Sequence, residues 1–229
     1  MLAQKAKQKA AFSTPIKMSY EAYLAWADED RRAEWVNGEV VIHMPTKPIH
    51  QTTLQFLYEL IVLYTRLLNL GKVLLAPIEM KLSRSSREPD LIFILTENLS
   101  RLTKDKLQGP ADLAVEIIST ESVSRDRRDK FKEYRDAGVR EYWIIDPRPG
   151  KQRADFFCLD DVGDYSLFAT EDDTWVESKV IAGFGLRPAW LWQVDDLNPL
   201  TCGLEIAGVA EALQAQISQA KSSQTDANA

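Results

Sequence analysis

The chain has 229 residues, 45% of them apolar and 27% charged, with a formal net charge of −6, an ordinary balance for a soluble globular protein built as one large domain. The negative charge excludes a global field that draws the protein to nucleic acid, so any phosphate contact must come from a local basic patch. Two histidines argue against a histidine-built zinc site, the two cysteines lack CxxC spacing and read as reduced thiols of a cytoplasmic protein, and no run of about 18 apolar residues marks a membrane-spanning helix.

Residues 1–17 carry four lysines and no acid, with no apolar run behind them. They read as a disordered basic extension rather than a secretory signal. MSYEAYLAWADED predicts a short helix capped by Ser19, with Tyr20, Tyr23, Leu24 and Ala27 on one stripe. In RAEWVNGEVVIHM, Asn37-Gly38 between apolar runs is a type I′ hairpin signal. Glu34 and Glu39 flank that turn, and the simple expectation for each is a solvated hairpin acid. A long helix follows from about His50 to Leu70. Leu54, Leu57, Ile61, Tyr64 and Leu68 recur at helical spacing, and Phe56, Leu60, Leu63 and Leu67 widen the stripe, with Gly71 as the stop. KVLLAPIEMKL then reads as one strand.

The stretch from Arg87 to Pro147 carries the chemistry. DLIFIL and DLAVEIIS are apolar strands, each with one acid out of place: Asp90 opens the first and Glu116 interrupts the second. Period-2 alternation puts Ala114, Glu116 and Ile118 on one face and Leu113, Val115 and Ile117 on the other. Both faces are apolar, as in a strand covered on both sides, so Glu116 must be paired or metal-bound. Ser122 or Ser124 is expected to cap a charged helix containing Asp126, Asp129, Phe131 and Tyr134, which Gly138 ends. EYWIID follows as a strand, parallel to DLAVEIIS through a right-handed crossover. RADFFCLD and DYSLFA form a hairpin, VESKVIAGFGLRPAWLW a short strand and a tryptophan-rich packing segment, and GLEIAGVAEALQAQI a terminal helix before a polar, disordered tail. The fold class is α/β with a mixed central sheet flanked by helices and an antiparallel C-terminal extension, and the domain spans about residues 18–200.

Pro89-Asp90, Glu116 inside an apolar strand and a following lysine resemble the PD-(D/E)XK restriction-endonuclease-like superfamily. With AEWVNGEVV, the His50 that opens the long helix, EPDLIFI, LAVEIIS, the 126–134 helix and GVREYWIIDP, the chain resembles more closely the Uma-two family of endonuclease-like proteins. That resemblance implies a Mg2+- or Mn2+-dependent endonuclease, acting on DNA ahead of RNA, with a non-catalytic binding or assembly module on the same fold as the alternative. It assigns Asp90 and Glu116 as metal ligands, the Ile117 carbonyl as a further ligand, and Lys130 as the lysine that orients the attacking water. The superfamily lysine lies two residues after the acid, where this chain has Ile118. The family resemblance implies a lysine supplied from the next helix, which gives the role to Lys130, held by Asp126 at i−4 and Tyr134 at i+4, with Lys132 as rival. The literal acid-x-lysine of Glu79 and Lys81 stands second. Glu39 is an outer-ligand candidate, and His50 a hydrogen-bond partner behind the ligands. Lys81, Arg84, Arg87, Arg125, Arg127, Arg128, Arg148, Lys151 and Arg153 are candidates to line a phosphate-backbone groove. A self-complementary patch at Trp190 and Trp192 is expected to support a twofold homodimer.

Overall fold

The computed structural model describes residues 16–27, 33–42, 45–120 and 122–227. His43, most of the basic extension and the last two residues lie outside them. The chain runs β1 (Ile16–Lys17), α1 (Tyr20–Trp26), β2 (Ala33–Val36), β3 (Glu39–Ile42), α2 (Pro48–Leu67), β4 (Gly71–Leu75), β5 (Met80–Lys81), β6 (Ser85–Arg87) and β7 (Leu91–Leu95). After a 3₁₀ turn come β8 (Leu107–Gln108), β9 (Leu113–Ile117), a π-helical turn (Arg125–Lys130), α3 (Phe131–Ala137) and β10 (Glu141–Asp146). The remainder is β11 (Arg153–Leu159), β12 (Tyr165–Thr170), β13 (Val176–Glu177), β14 (Gly185–Leu186), a second 3₁₀ turn, α4 (Pro199–Gly203) and α5 (Val209–Ala227).

Two six-stranded mixed sheets result, ordered β1-β3-β2-β6-β5-β8 and β12-β11-β10-β9-β7-β4, with β13 and β14 as a separate pair. In the second sheet β9 and β10 run parallel across the π-turn–α3 crossover, and β9 and β7 run antiparallel. The alternation in β9 divides two cores. Leu113, Val115 and Ile117 join Leu54, Leu57, Leu60 and Ile61 of α2 on one face. Ala114 and Ile118 join Met80 and Leu107 of the first sheet and Tyr134 of α3 on the other. The first sheet is thus layered over the face that carries Glu116.

Several local expectations hold for the reasons given. Ser19 accepts a hydrogen bond from the Ala22 N–H, Asn37 and Gly38 adopt φ of 49° and 85° in the β2–β3 turn, and Gly138 ends α3 at φ 86°. Others are corrected. KVLLAPIEMKL is two strands in two sheets, divided near Pro77, which has no N–H to give a ladder. The left-handed residue after α2 is Asn69 at φ 54°, whereas Gly71 opens β4. A Cβ at Gly71 would lie 2.1 Å from the Ile94 carbonyl oxygen, so the glycine serves close strand approach. Neither Ser122 nor Ser124 caps the crossover helix: Ser122 Oγ accepts from the Ser119 N–H, and Ser124 makes no capping bond. The terminal helix α5 reaches Ala227, taking in most of the segment expected as a disordered tail. Trp190 is buried edge-to-face on Trp175, and Trp192 packs on the same core, so both indoles cover their own chain rather than form an exposed patch.

Candidate active site

Strand register decides where the two odd acids go. Leu91 pairs with Val115, Ile92 with Ala114 and Phe93 with Leu113. Continuing that antiparallel register by one residue sets Asp90 opposite Glu116, and directly opposed residues share a face of the sheet. Asp90 Oδ2 accepts the Ile117 N–H at 2.8 Å and lies 3.2 Å from His50 Nε2. That contact ties the first turn of α2 to the entrance of β7. Glu116 is 3% exposed. Its Oε1 accepts from Lys130 Nζ at 2.7 Å and from the Tyr134 hydroxyl at 2.8 Å. Asp90, Glu116, Ile117, Lys130, His50 and Asp126 all border one cleft of about 260 Å³ between α2, the end of β9 and the π-turn.

The π-turn explains how a lysine fourteen residues downstream reaches Glu116. Wider winding between Arg125 and Lys130 is anchored by the Tyr142 hydroxyl, which donates to the Asp126 carbonyl at 3.0 Å. It turns Asp126 and Lys130 inward, both fully or nearly fully buried. Lys130 Nζ therefore sits among three carboxylates: Glu116, and at 3.5 Å each Glu34 Oε1 and Asp126 Oδ1. Glu34 is 0% exposed, which overturns its reading as a solvated hairpin acid. Its Oε2 accepts from Arg87 at 3.0 Å and its Oε1 from the Glu88 N–H at 2.9 Å, while Arg87 also binds Glu133. The cause is that β2 lies inside its sheet between β3 and β6, so neither edge is free, and Arg87 and Lys130 cover the Glu34 side chain. No sequence signal singles out Glu34: the buried Arg87 that holds it is followed at once by Glu88 and then Asp90, so the sequence offers nearer acids than the one that the fold supplies.

Burial pushes the Glu116 carboxyl up to about 8; Lys130 opposes this, while Asp126, Asp90 and Glu34 add to it. Burial alone would lower Lys130, but Glu116, Glu34 and Asp126 outweigh it and keep the ammonium charged above its ordinary range. Tyr134 is raised well above its ordinary value by burial and then by Glu116, so it donates as a neutral phenol.

Among the described residues no three His, Cys, Asp and Glu side chains enclose a metal ion. Asp90, Glu116 and Ile117 nevertheless border the cleft together, and the two carboxylates are oxygen donors of the kind that magnesium takes. Carboxylates also outnumber the buried cations Lys130 and Arg87, and Asp126 Oδ1 is buried without a hydrogen-bond partner.

The other candidates lie elsewhere. Glu79 accepts from the Tyr20 hydroxyl, and Lys81 lies 4.3 Å over the Tyr20 ring, so this acid-x-lysine does not join Asp90. Glu39 pairs with Lys17 at 3.5 Å and borders a second groove, as does the exposed Lys132. Tyr134 stands behind Glu116 as its hydrogen-bond donor and does not border the cleft. The expected basic groove is largely neutralised. Arg87 is held by Glu34 and Glu133, Arg127 and Arg153 by Asp155, and Arg148 by Asp146. Arg125 does border the cleft, and Arg84 is exposed beside the second groove, which Arg125 also reaches.

Residues 20–189 match the model of the Uma2 family, described as "Putative restriction endonuclease". A solved structure described as a "putative nuclease belonging to DUF820 from Anabaena variabilis ATCC 29413" superposes with a TM-score of 0.65 over 77% of this chain and 98% of that one, at 13% identity. At that identity the likeness is one of fold, the restriction-endonuclease-like α/β architecture. No curated protein matches the chain.

Proposed function

The chain belongs to the Uma2 family of restriction-endonuclease-like proteins, and on that premise we propose that it is a cytoplasmic, divalent-metal-dependent endonuclease that hydrolyses phosphodiester bonds, DNA ahead of RNA. The observation that carries the reading is the convergence of Asp90, Glu116, Ile117 and Lys130 on one cleft. The Asp90 and Glu116 carboxylates and the Ile117 carbonyl would hold Mg2+ or Mn2+. When bound, such an ion offsets charge on the phosphoryl oxygens and acidifies a water. His50 and the Ile117 N–H fix the Asp90 carboxylate, and Tyr134 fixes Glu116. Lys130 borders the same cleft, where a change of side-chain rotamer would let its ammonium orient the attacking water and offset phosphate charge. Cutting both strands of a duplex calls for two such clefts, so the reading includes a twofold dimer.

One observation favours the alternative, a non-catalytic binding module: the 2.7 Å Lys130–Glu116 contact already satisfies both groups as an ion pair. Nicking of supercoiled plasmid separates the two. The endonuclease reading expects nicking with Mg2+ or Mn2+, none in chelator, and a loss of several orders of magnitude in Glu116→Gln, the scale of losing a metal-activated water. A wild-type protein that cuts neither plasmid nor RNA with either ion leaves the binding module. Light scattering that shows a monomer at high micromolar concentration removes the dimer.

A further inference from the structure

The ammonium of Lys130 rests on the same carboxylate that the metal reading requires. A cation that takes Glu116 competes with Lys130 for it, and a buried ammonium cannot be left unpaired without a large penalty. Two other carboxylate oxygens stand 3.5 Å from Nζ, just beyond a good hydrogen bond. Glu34 Oε1 already accepts the Glu88 N–H, and Glu34 Oε2 accepts Arg87. Asp126 Oδ1 is different: it is buried, has no hydrogen-bond partner, and faces Lys130 from one turn earlier and Arg125 Nε at 3.8 Å. Buried carboxylate oxygens are seldom left in that state.

We propose that Asp126 is a positioning residue, the second seat of Lys130: on entry of a divalent cation at Asp90 and Glu116, the ammonium passes from Glu116 Oε1 to Asp126 Oδ1. The inference rests on the metal reading above. Both end states keep the Lys130 ammonium and the Glu116 carboxylate paired, and the second also gives Asp126 Oδ1 the partner it lacks in the first. In the first, Lys130 neutralises Glu116; in the second, the cation does so and Lys130 neutralises Asp126. The movement needs only side-chain rotation, because Asp126 and Lys130 share the π-turn that Tyr142 holds through the Asp126 carbonyl. It also frees the ammonium from the metal ligand while leaving it beside the cleft.

The test uses the full chain labelled with 15N at lysine, with Lys130→Arg to assign the buried ammonium resonance. Mg2+ alone is titrated while calorimetry follows its binding. The expected result is a Lys130 resonance that shifts in step with Mg2+ occupancy and returns in chelator. Asp126→Asn should bind Mg2+ about tenfold or more weakly, the scale of one hydrogen bond to a charged group, and its Lys130 resonance should not make the same shift. Mg2+ binding with an unmoved Lys130 resonance overturns the handover and leaves the metal reading standing. No Mg2+ binding by wild type overturns both. Should Asp126→Asn fail to fold, the wild-type titration decides alone.

Discussion

Glu116 is paired with Lys130, yet burial raises its affinity for a proton. Its folded value near 8 stands above the ordinary 4.5, through burial first and then the company of Asp126, Asp90 and Glu34, with Lys130 pulling the other way. The folded state therefore holds the proton more tightly than the unfolded one. Without metal, the stabilisation from this group is complete below about pH 4.5 and is lost as pH rises toward 8. Melts in chelator should show wild type losing ground to Glu116→Gln across that window, since the amide does not titrate; parallel curves would reject the assignment. Glu34 is the larger structural liability. Glu34→Ala strips Arg87 and Lys130 of a shared buried partner and should cost about 3–5 kcal/mol, read as a lowered urea midpoint at unchanged slope. Asp90 and Glu116 stood out in the sequence because acids at or inside apolar strands have few ordinary explanations, whereas the role of Lys130 came from the family resemblance. Glu34 did not stand out, because alternation along a four-residue hairpin strand cannot reveal that another strand, β6, pairs on its far side.

At the scale of elements, the chain's punctuation was easier to find than its meaning. The hairpin at Asn37-Gly38 and the end of α3 at Gly138 follow from local backbone chemistry and needed no tertiary knowledge. Gly71 was visible too, but its role depends on β7, which arrives twenty residues later and places the Ile94 carbonyl where a side chain would begin. Gly71→Ala should therefore destabilise by more than a strained φ alone, roughly 1–3 kcal/mol, with the excess coming from displaced β4–β7 pairing. A melting temperature within error of wild type would show that β4 shifts freely. The π-turn was beyond reach for a related reason: its sequence, RDRRDK, suits an ordinary exposed helix, and only the buried Tyr142 hydroxyl beneath it accounts for the inward aim of Asp126 and Lys130.

For the whole molecule, charge sets the terms of any encounter with nucleic acid. The chain is net negative; of the arginines that border the cleft, Arg148 holds Asp146, leaving Arg125, with Arg84 beside the groove that Arg125 also reaches. Binding of a short duplex in Ca2+ should thus weaken with salt along a shallow line, with a logarithmic slope of about −2 to −3 for that few phosphate contacts. A slope of about −6 or steeper would bring the lysines of the N-terminal extension, or a second copy, into the complex. The class of fold and the crossover of β9 and β10 were legible because periodicity and connection length constrain them. The layering of a second six-stranded sheet over the first was not, since short strands such as β5, β6 and β8 carry too few residues to show alternation.

The charge cluster takes Glu34 and Arg87 from one sheet, Glu116 from the other, and Lys130 and Glu133 from the turn and helix between. During synthesis the hairpin bearing Glu34 leaves the ribosome almost a hundred residues before Lys130 does. Until then these groups can only be hydrated, and the cleft has no walls. A nascent chain that has not yet reached Lys130 thus has no complete cleft, and any cutting activity would begin only once these distant parts of the chain have docked.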